Sequence, residues 1–455
     1  MLDHSNPFRF GLLLALSFSA LLLSIAAISY CLAQASSEKS PQHNAANLDR
    51  LVKDKDYPEL ERELPDAKLD PAERSYFAGI LAARQHRVTE AIAKLEQVLP
   101  GLRKTNHHRA ANALRTLAYD YFECGRYADA SRALQDTLQH FAAEFTAAER
   151  RSLKDDTQTF SLLNGAPAQA ISGPRTFTVP VQRDVIGDID VPLQLAEKKQ
   201  WWIFDTGANI STITLSTARN LGLKLSEGHA TTQGGATGTE VPLRTAVIPE
   251  VHFGDAVIHN VIALVLEDKE LDIDLGKNGH YKIQGILGYP VLTALGTFSV
   301  RNADAITPEM TVTATSEVTA SSTPLYVDEL TLLLEAKVNG RNLLFSFDTG
   351  SSSAELTARY AHQFPSQFAG LRPKNASFAG AGGVRLLPAY ALPQVSLQMG
   401  SAVAVLKNVT VVAQPKGVEP LDRVFGNLGQ GLLNKFHDYT IDFSKMRLTL
   451  RESVK

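Results

Sequence analysis

The rhythm of polar and apolar positions changes three times along this chain. An uncharged run from Phe10 to Ser37, dominated by Leu, Ala, Ile and Ser, opens it behind Arg9. Residues 45–163 then carry apolar positions at helical spacing, with much Ala, Leu, Glu, Arg and Lys and little glycine, which predicts an all-α domain. From Asn164-Gly165-Ala166-Pro167 to Pro174 the Gly, Pro and Ala content reads as a linker. Beyond it, short stretches of Val, Ile, Thr and Phe alternate between turns and predict strands. The expected class is multidomain α + β, with the helices first and an all-β region after them.

The β region repeats itself. Trp201-Trp202-Ile203-Phe204 runs into Asp205-Thr206-Gly207, and Leu343-Leu344-Phe345-Ser346-Phe347 runs into Asp348-Thr349-Gly350. Thr217-Ala218-Arg219 is matched by Thr357-Ala358-Arg359, and Ile248-Pro249-Glu250-Val251 by Leu392-Pro393-Gln394-Val395. Gly285-Ile286-Leu287-Gly288 is matched by Gly426-Asn427-Leu428-Gly429. Paired positions stay 140–148 residues apart, too long a period for a solenoid, so two homologous lobes are expected, at 174–313 and 324–455. The Ser/Thr-rich stretch from Thr313 to Thr323 would join them. Each lobe should close on a strand pair, Phe298-Ser299-Val300 with Met310-Thr311-Val312 and Ile441-Asp442-Phe443 with Met446-Arg447-Leu448.

A hydrophobic strand, Asp-Thr-Gly, a glycine-bearing hairpin and then hydrophobic-hydrophobic-Gly make this region resemble the retropepsin-like and pepsin-like aspartic proteases over roughly 174–455. The resemblance implies one catalytic aspartate from each lobe, Asp205 and Asp348, meeting on an approximate two-fold axis. Two carboxylates held that close share one proton, so one serves as base towards water and the other as acid. Gly207 and Gly350 would let backbone approach the carboxyls, having no Cβ, and Thr206 and Thr349 would hydrogen-bond across the pair. Gly234, Gly235 and Gly238 in the first lobe, and Gly380, Gly382 and Gly383 in the second, would sit in flaps that clamp an extended peptide. A phosphate-cradling loop is the competing reading of these glycines, but it needs a following helix, and β-type sequence lies on both sides. Neither stretch contains tyrosine and both are present, which is closer to a fused retropepsin dimer. Asn427 stands where the family carries an apolar residue, and Ala208-Asn209 replaces the more usual Ala-Asp or Ser-Ser.

Within 45–163, Leu117-Ala118, Tyr121, Gly125, Tyr127 and Ala130 fall at the spacings of a tetratricopeptide helix pair, and Gly79, Ala91 and Leu95 lie 39 residues before their counterparts. The usual repeat is about 34 residues, so a longer connection near Leu99–His107 is expected. A generic helical bundle is the alternative. If repeats, their concave face could bind a protein partner or tether the lobes. His107-His108 reads as a pair of solvated loop histidines, without the three or four ligands a zinc site needs. No metal or other cofactor is implied.

Residues 1–35 read as a signal peptide ending at Ala33-Gln34-Ala35, or else as an uncleaved membrane anchor, since the run is long enough to span a bilayer. Tyr30 before Cys31 argues against a lipoprotein. Once such a signal is removed, Cys124 has no disulfide partner, and Asn209-Ile210-Ser211 would put a glycosylation acceptor beside Asp205. Both fit bacterial export, periplasmic or secreted. The net charge of −3 leaves no footprint for nucleic acid. The expected function is an exported aspartic endopeptidase acting on peptide or protein substrates. The alternatives are a non-catalytic peptide-binding adaptor, and lobes that pair with those of a second chain.

Overall fold

The computed structural model describes residues 44–233, 238–301, 303, 307–316, 322–414 and 424–452. Residues 1–35, expected to be a signal or an anchor, and Gly234 and Gly235 lie outside them.

The helical region runs as Ala45–Asp54, Tyr57–Glu63, Pro71–Arg84, Val88–Thr105, His107–Glu123, Tyr127–Phe141 and Ala147–Ser161. Local sequence sets several starts. Asp70 and Glu73 form a capping box ahead of Pro71, and Thr146 and Glu149 form another ahead of Ala147. From Pro71 onward each helix packs against the next, burying Tyr76, Phe77, Ile80, Leu95, Leu114, Leu117, Phe122 and Leu134. Two expectations are corrected here. Leu99–Thr105 is not a connection: it is the last part of the helix Val88–Thr105, which carries Pro100 inside it, and only Asn106 separates that helix from the next. His107 and His108 are not in a loop: they form the first turn of a helix that Asn106 caps, its side chain accepting from the Arg109 N–H at 3.1 Å.

The β region builds two large sheets from its described strands. In the first, Ser211–Thr214, Gly285–Leu287, Lys198–Phe204, Ile189–Leu195 and Glu240–Phe253 lie side by side in that order. In the second, Ala354–Leu356, Gly426–Leu428, Arg341–Phe347, Thr331–Val338 and Thr323–Asp328 do the same. Local pairing is alike around the two Asp-Thr-Gly turns. Ile286 and Leu287 pair in parallel with Ile203 and Phe204, and Asn427 and Leu428 pair in parallel with Ser346 and Phe347.

The strands Thr297–Arg301 and Glu309–Thr313 pair with each other, and so do Asp438–Asp442 and Arg447–Arg451. Thr297–Arg301 also pairs with Asp438–Asp442, so both closing pairs share the second sheet, with Phe177–Pro180 at its end. Aromatic side chains weld this base. Phe204 lies 4.9 Å from Phe298 between ring centroids, and Phe298 and Tyr289 each lie 6.0 Å from Phe443.

The helices dock on both halves of the β region. Asp328 is buried against Lys55 and Arg84 and accepts from the Tyr57 hydroxyl at 2.9 Å. Arg115 pairs with Glu329 at 3.2 Å, and the Tyr326 hydroxyl donates to Glu61. On the other half, the helix Ala147–Ser161 packs against the strand Ala230–Gln233.

Candidate active site

Each Asp-Thr-Gly turn leaves a strand whose last aromatic residue is buried, Phe204 in one case and Phe347 in the other. The next backbone N–H is tied to the neighbouring parallel strand: Asp205 N–H donates to the Leu287 carbonyl at 3.1 Å, and Asp348 N–H to the Leu428 carbonyl at 3.1 Å. Two turns held in this way bring the carboxyls together. A Cβ added to Gly207 would lie 2.4 Å from Cγ of Asp348, and one added to Gly350 would lie 2.2 Å from Cγ of Asp205. Each glycine therefore lies flat under the opposing carboxyl, where no side chain fits.

Thr206 and Thr349 are fully buried between the turns. Thr206 N–H donates to Oγ1 of Thr349 at 3.0 Å, and Thr349 N–H to Oγ1 of Thr206 at 3.0 Å. The hydroxyls pass their own protons on, from Thr206 to the Phe347 carbonyl and from Thr349 to the Phe204 carbonyl. Gln430 adds a bond from Nε2 to the Thr349 carbonyl at 2.8 Å.

The two carboxyls are not solvated alike. Asp205 receives the Gly207 and Ala208 N–H groups at 2.7 and 3.1 Å, both on Oδ1. Asp348 receives the Gly350 N–H on Oδ1 at 3.0 Å and Nδ2 of Asn427 on Oδ2 at 2.8 Å. Burial first, then the Asp348 charge and a hydrogen bond to it, hold the Asp205 carboxyl well above the usual carboxylate range. The pair can therefore keep one proton at a pH where isolated aspartates are bare, which is the state acid–base attack of water on a carbonyl requires.

Sequence reasoning missed two neighbours of the pair, Asp188 and Gln430. Asp190 faces Ile203 across the hairpin of Ile189–Leu195 and Lys198–Phe204. Asp188, two residues earlier, interacts electrostatically with both Asp205 and Asp348. It is 1% exposed, and burial, then Asp184, Asp348 and Asp190, push it up to about 8. Hairpin register would have revealed it. Gln430 and Asn427 carry no composition signal, although Asn427 stands out against its apolar counterpart Ile286.

The glycine-bearing stretches lie at hairpins. Ala230–Gln233 pairs with Glu240–Phe253, with Gly238 between them at φ +62°. Lys374–Gly380 pairs with Gly383–Met399, closing on Gly380 opposite Gly383, with Gly382 at φ +84° in the turn. This second tip reaches the first half: Gly382 N–H donates to the Glu270 carbonyl at 3.0 Å, and Ala381 packs on the cluster of Ile203, Val241 and Leu271. Val384 and Leu386 are exposed on its arm. A polar cavity of about 330 Å³ opens beside Asn209, lined also by Gln233, Thr331, Glu329, Asp155 and Asp156. A cavity of about 540 Å³ lies behind the first turn instead, between His86, Glu123, Ile210 and Pro290, away from the carboxyls.

No curated protein matches the chain. Residues 191–291, which include the first Asp-Thr-Gly turn and Gly285-Ile286-Leu287-Gly288, match the family model described as aspartyl protease, which supports an aspartyl protease domain in this part of the chain.

Proposed function

We propose that the chain is an exported aspartic endopeptidase in which Asp205 and Asp348 activate one water between two duplicated lobes. The observation that carries this reading is the abutment of the two carboxyls, each against the glycine of the opposite turn. Both aspartates come from one chain, which favours an intramolecular dyad over pairing with a second copy. In this reading Thr206 and Thr349 hold the turns in register. The hairpins carrying Gly238, Gly380, Gly382 and Gly383 act as flaps, with Val384 and Leu386 offering apolar contact to an extended peptide. Water enters as nucleophile, one carboxylate takes its proton, and the protonated carboxyl gives its own to the carbonyl oxygen. The helical region serves as a brace on both lobes. Residues 1–35 direct export, as a signal peptide or as an anchor.

The test is cleavage of an unfolded protein substrate across pH 3–7 by the full chain in mild detergent, beside Asp205→Asn and Asp348→Asn. Cleavage that vanishes in both variants is the expected result. A folded wild-type protein that binds peptides and cuts none at any pH would overturn the peptidase reading in favour of a peptide-binding adaptor.

A further inference from the structure

The two halves of the site differ at one paired position. In the first half the parallel partners two residues before the aspartate and next to Leu287 are Ile203 and Ile286, both packed into an apolar cluster. In the second half the same pairing joins Ser346 and Asn427. Two apolar side chains have become two polar ones that engage each other. Oγ of Ser346 donates to Oδ1 of Asn427 at 2.9 Å, which turns the amide so that Nδ2 donates to Oδ2 of Asp348 at 2.8 Å. A half-buried amide placed there without partners would cost stability, so the pair is not a neutral replacement.

We infer that Asn427, oriented by Ser346, is a positioning residue that makes Asp348 the ionised member of the dyad and leaves the proton on Oδ2 of Asp205. The distribution of donors supports this: each carboxyl receives two, shared between both oxygens of Asp348 and confined to one oxygen of Asp205. Both Asp348 oxygens receive an N–H donor, which favours its charged form over its protonated one. Both N–H donors to Asp205 fall on Oδ1, which frees Oδ2 to carry the proton towards Asp348. The charged or titratable groups around Asp348 are Asp205, Asp188 and Glu355, and each of these carboxyls disfavours a charge on it. Glu355 faces Asn427 directly across the antiparallel pair. Asn427 opposes that repulsion. When water adds to the carbonyl, its proton passes to Asp348 while the Asp205 proton passes to the carbonyl oxygen, so the dyad keeps a single negative charge.

The proposal rests on the peptidase reading for its kinetic arm only. In the full chain, Asn427→Leu should raise the acidic limb of the kcat/KM profile by about one unit, because a hydrogen bond to the charged form is lost. On the acid side of that limb it should lower kcat about tenfold, because a one-unit rise cuts the ionised fraction of the dyad tenfold there, with KM changed less than twofold. Ser346→Ala, which spares the amide and its volume, should move both in the same direction by less, and it stands in if Asn427→Leu does not fold. An unchanged pH profile in cleaving variants, or a change in KM alone, would overturn the inference while leaving the peptidase reading intact. Carbon-13 titration of the Asp348 carboxyl in an Asp205→Asn background gives a readout without proteolysis. The midpoint should rise by about one unit when Asn427→Leu is added, and an equal midpoint refutes the inference even if the wild type cuts nothing.

Discussion

Thr206 and Thr349 exchange their backbone N–H groups for each other's hydroxyl oxygens at 3.0 Å in both directions. Since each hydroxyl also donates to a carbonyl on the opposite strand, the two turns are locked by four bonds in a site closed to water. Thr206→Val keeps the shape but leaves the Thr349 N–H and the Phe347 carbonyl without partners. A buried orphan of this kind costs about 1–3 kcal/mol, so urea unfolding should show a loss of about 2–6 kcal/mol for two of them. Thr206→Ser should recover most of it. Thr349→Val added to Thr206→Val should cost much less than the sum, because both act on one ring.

Gly207→Ala and Gly350→Ala should abolish cleavage and shift thermal unfolding far less than they shift rate. The new methyl would meet a carboxyl at 2.4 or 2.2 Å from Cγ, well inside contact distance, and only parting of the dyad relieves it. The measurement is single-turnover cleavage beside a thermal melt. Retained activity in either variant would mean that the carboxyls work further apart than this geometry places them.

Much of this site is legible in the sequence because glycine, threonine and aspartate recur as a block at the end of a strand. The repeat at 140–148 residues brings the motifs to attention before any geometry is known. The partners of the block are harder to read. Asp188 reaches the dyad through hairpin register, and Gln430 through the turn after Gly429, neither of which leaves a local pattern. Helical periodicity marks 45–163 but not its breaks. The 39-residue spacing against a usual repeat of about 34 suggests a connection near Leu99–His107, yet the helix continues through Pro100 to Thr105, and its true end is set by the Asn106 cap. The sharing of one sheet by both closing strand pairs is a long-range pairing that no window of sequence contains.

Stability should fall as pH rises from about 4 to 8. Burial pushes Asp190 up to about 6, Asp156 up to about 7 and Asp188 up to about 8. Burial alone would lower His86, but its pairing with Glu123 outweighs this and raises it. A group whose folded value is raised binds its proton more tightly when folded. Its contribution is complete below the unfolded value, about 3.9 for Asp, and disappears as pH rises through the folded one. Urea midpoints measured from pH 4 to 8 should therefore decline, and Asp188→Asn should flatten the upper part of that decline. A rising curve would show that Asp188 and its neighbours are ionised in the folded protein.

Asp328 works in the opposite sense and joins the helices to the β region. It is buried, and although desolvation alone would raise it, Lys55, Arg84 and Arg115 hold its carboxyl far below the usual range. The contribution of a lowered carboxyl is present above its unfolded value and lost as pH falls towards the folded one. It should therefore stay whole across pH 4–8 and fade only in stronger acid. Asp328→Asn leaves the buried Arg84 and the half-buried Lys55 without their counter-charge, a loss of about 3–5 kcal/mol by comparison with other broken buried pairs. Arg84→Met added to it should restore part of that loss, because the orphaned charge is removed. Limited proteolysis then reports on the joint itself. Asp328→Asn should become cleavable within residues 164–174, as the helices lose their hold on the second half. Equal protection in wild type and variant would mean that Tyr326, Glu61 and the packing of Ala147–Ser161 suffice to keep the helices docked.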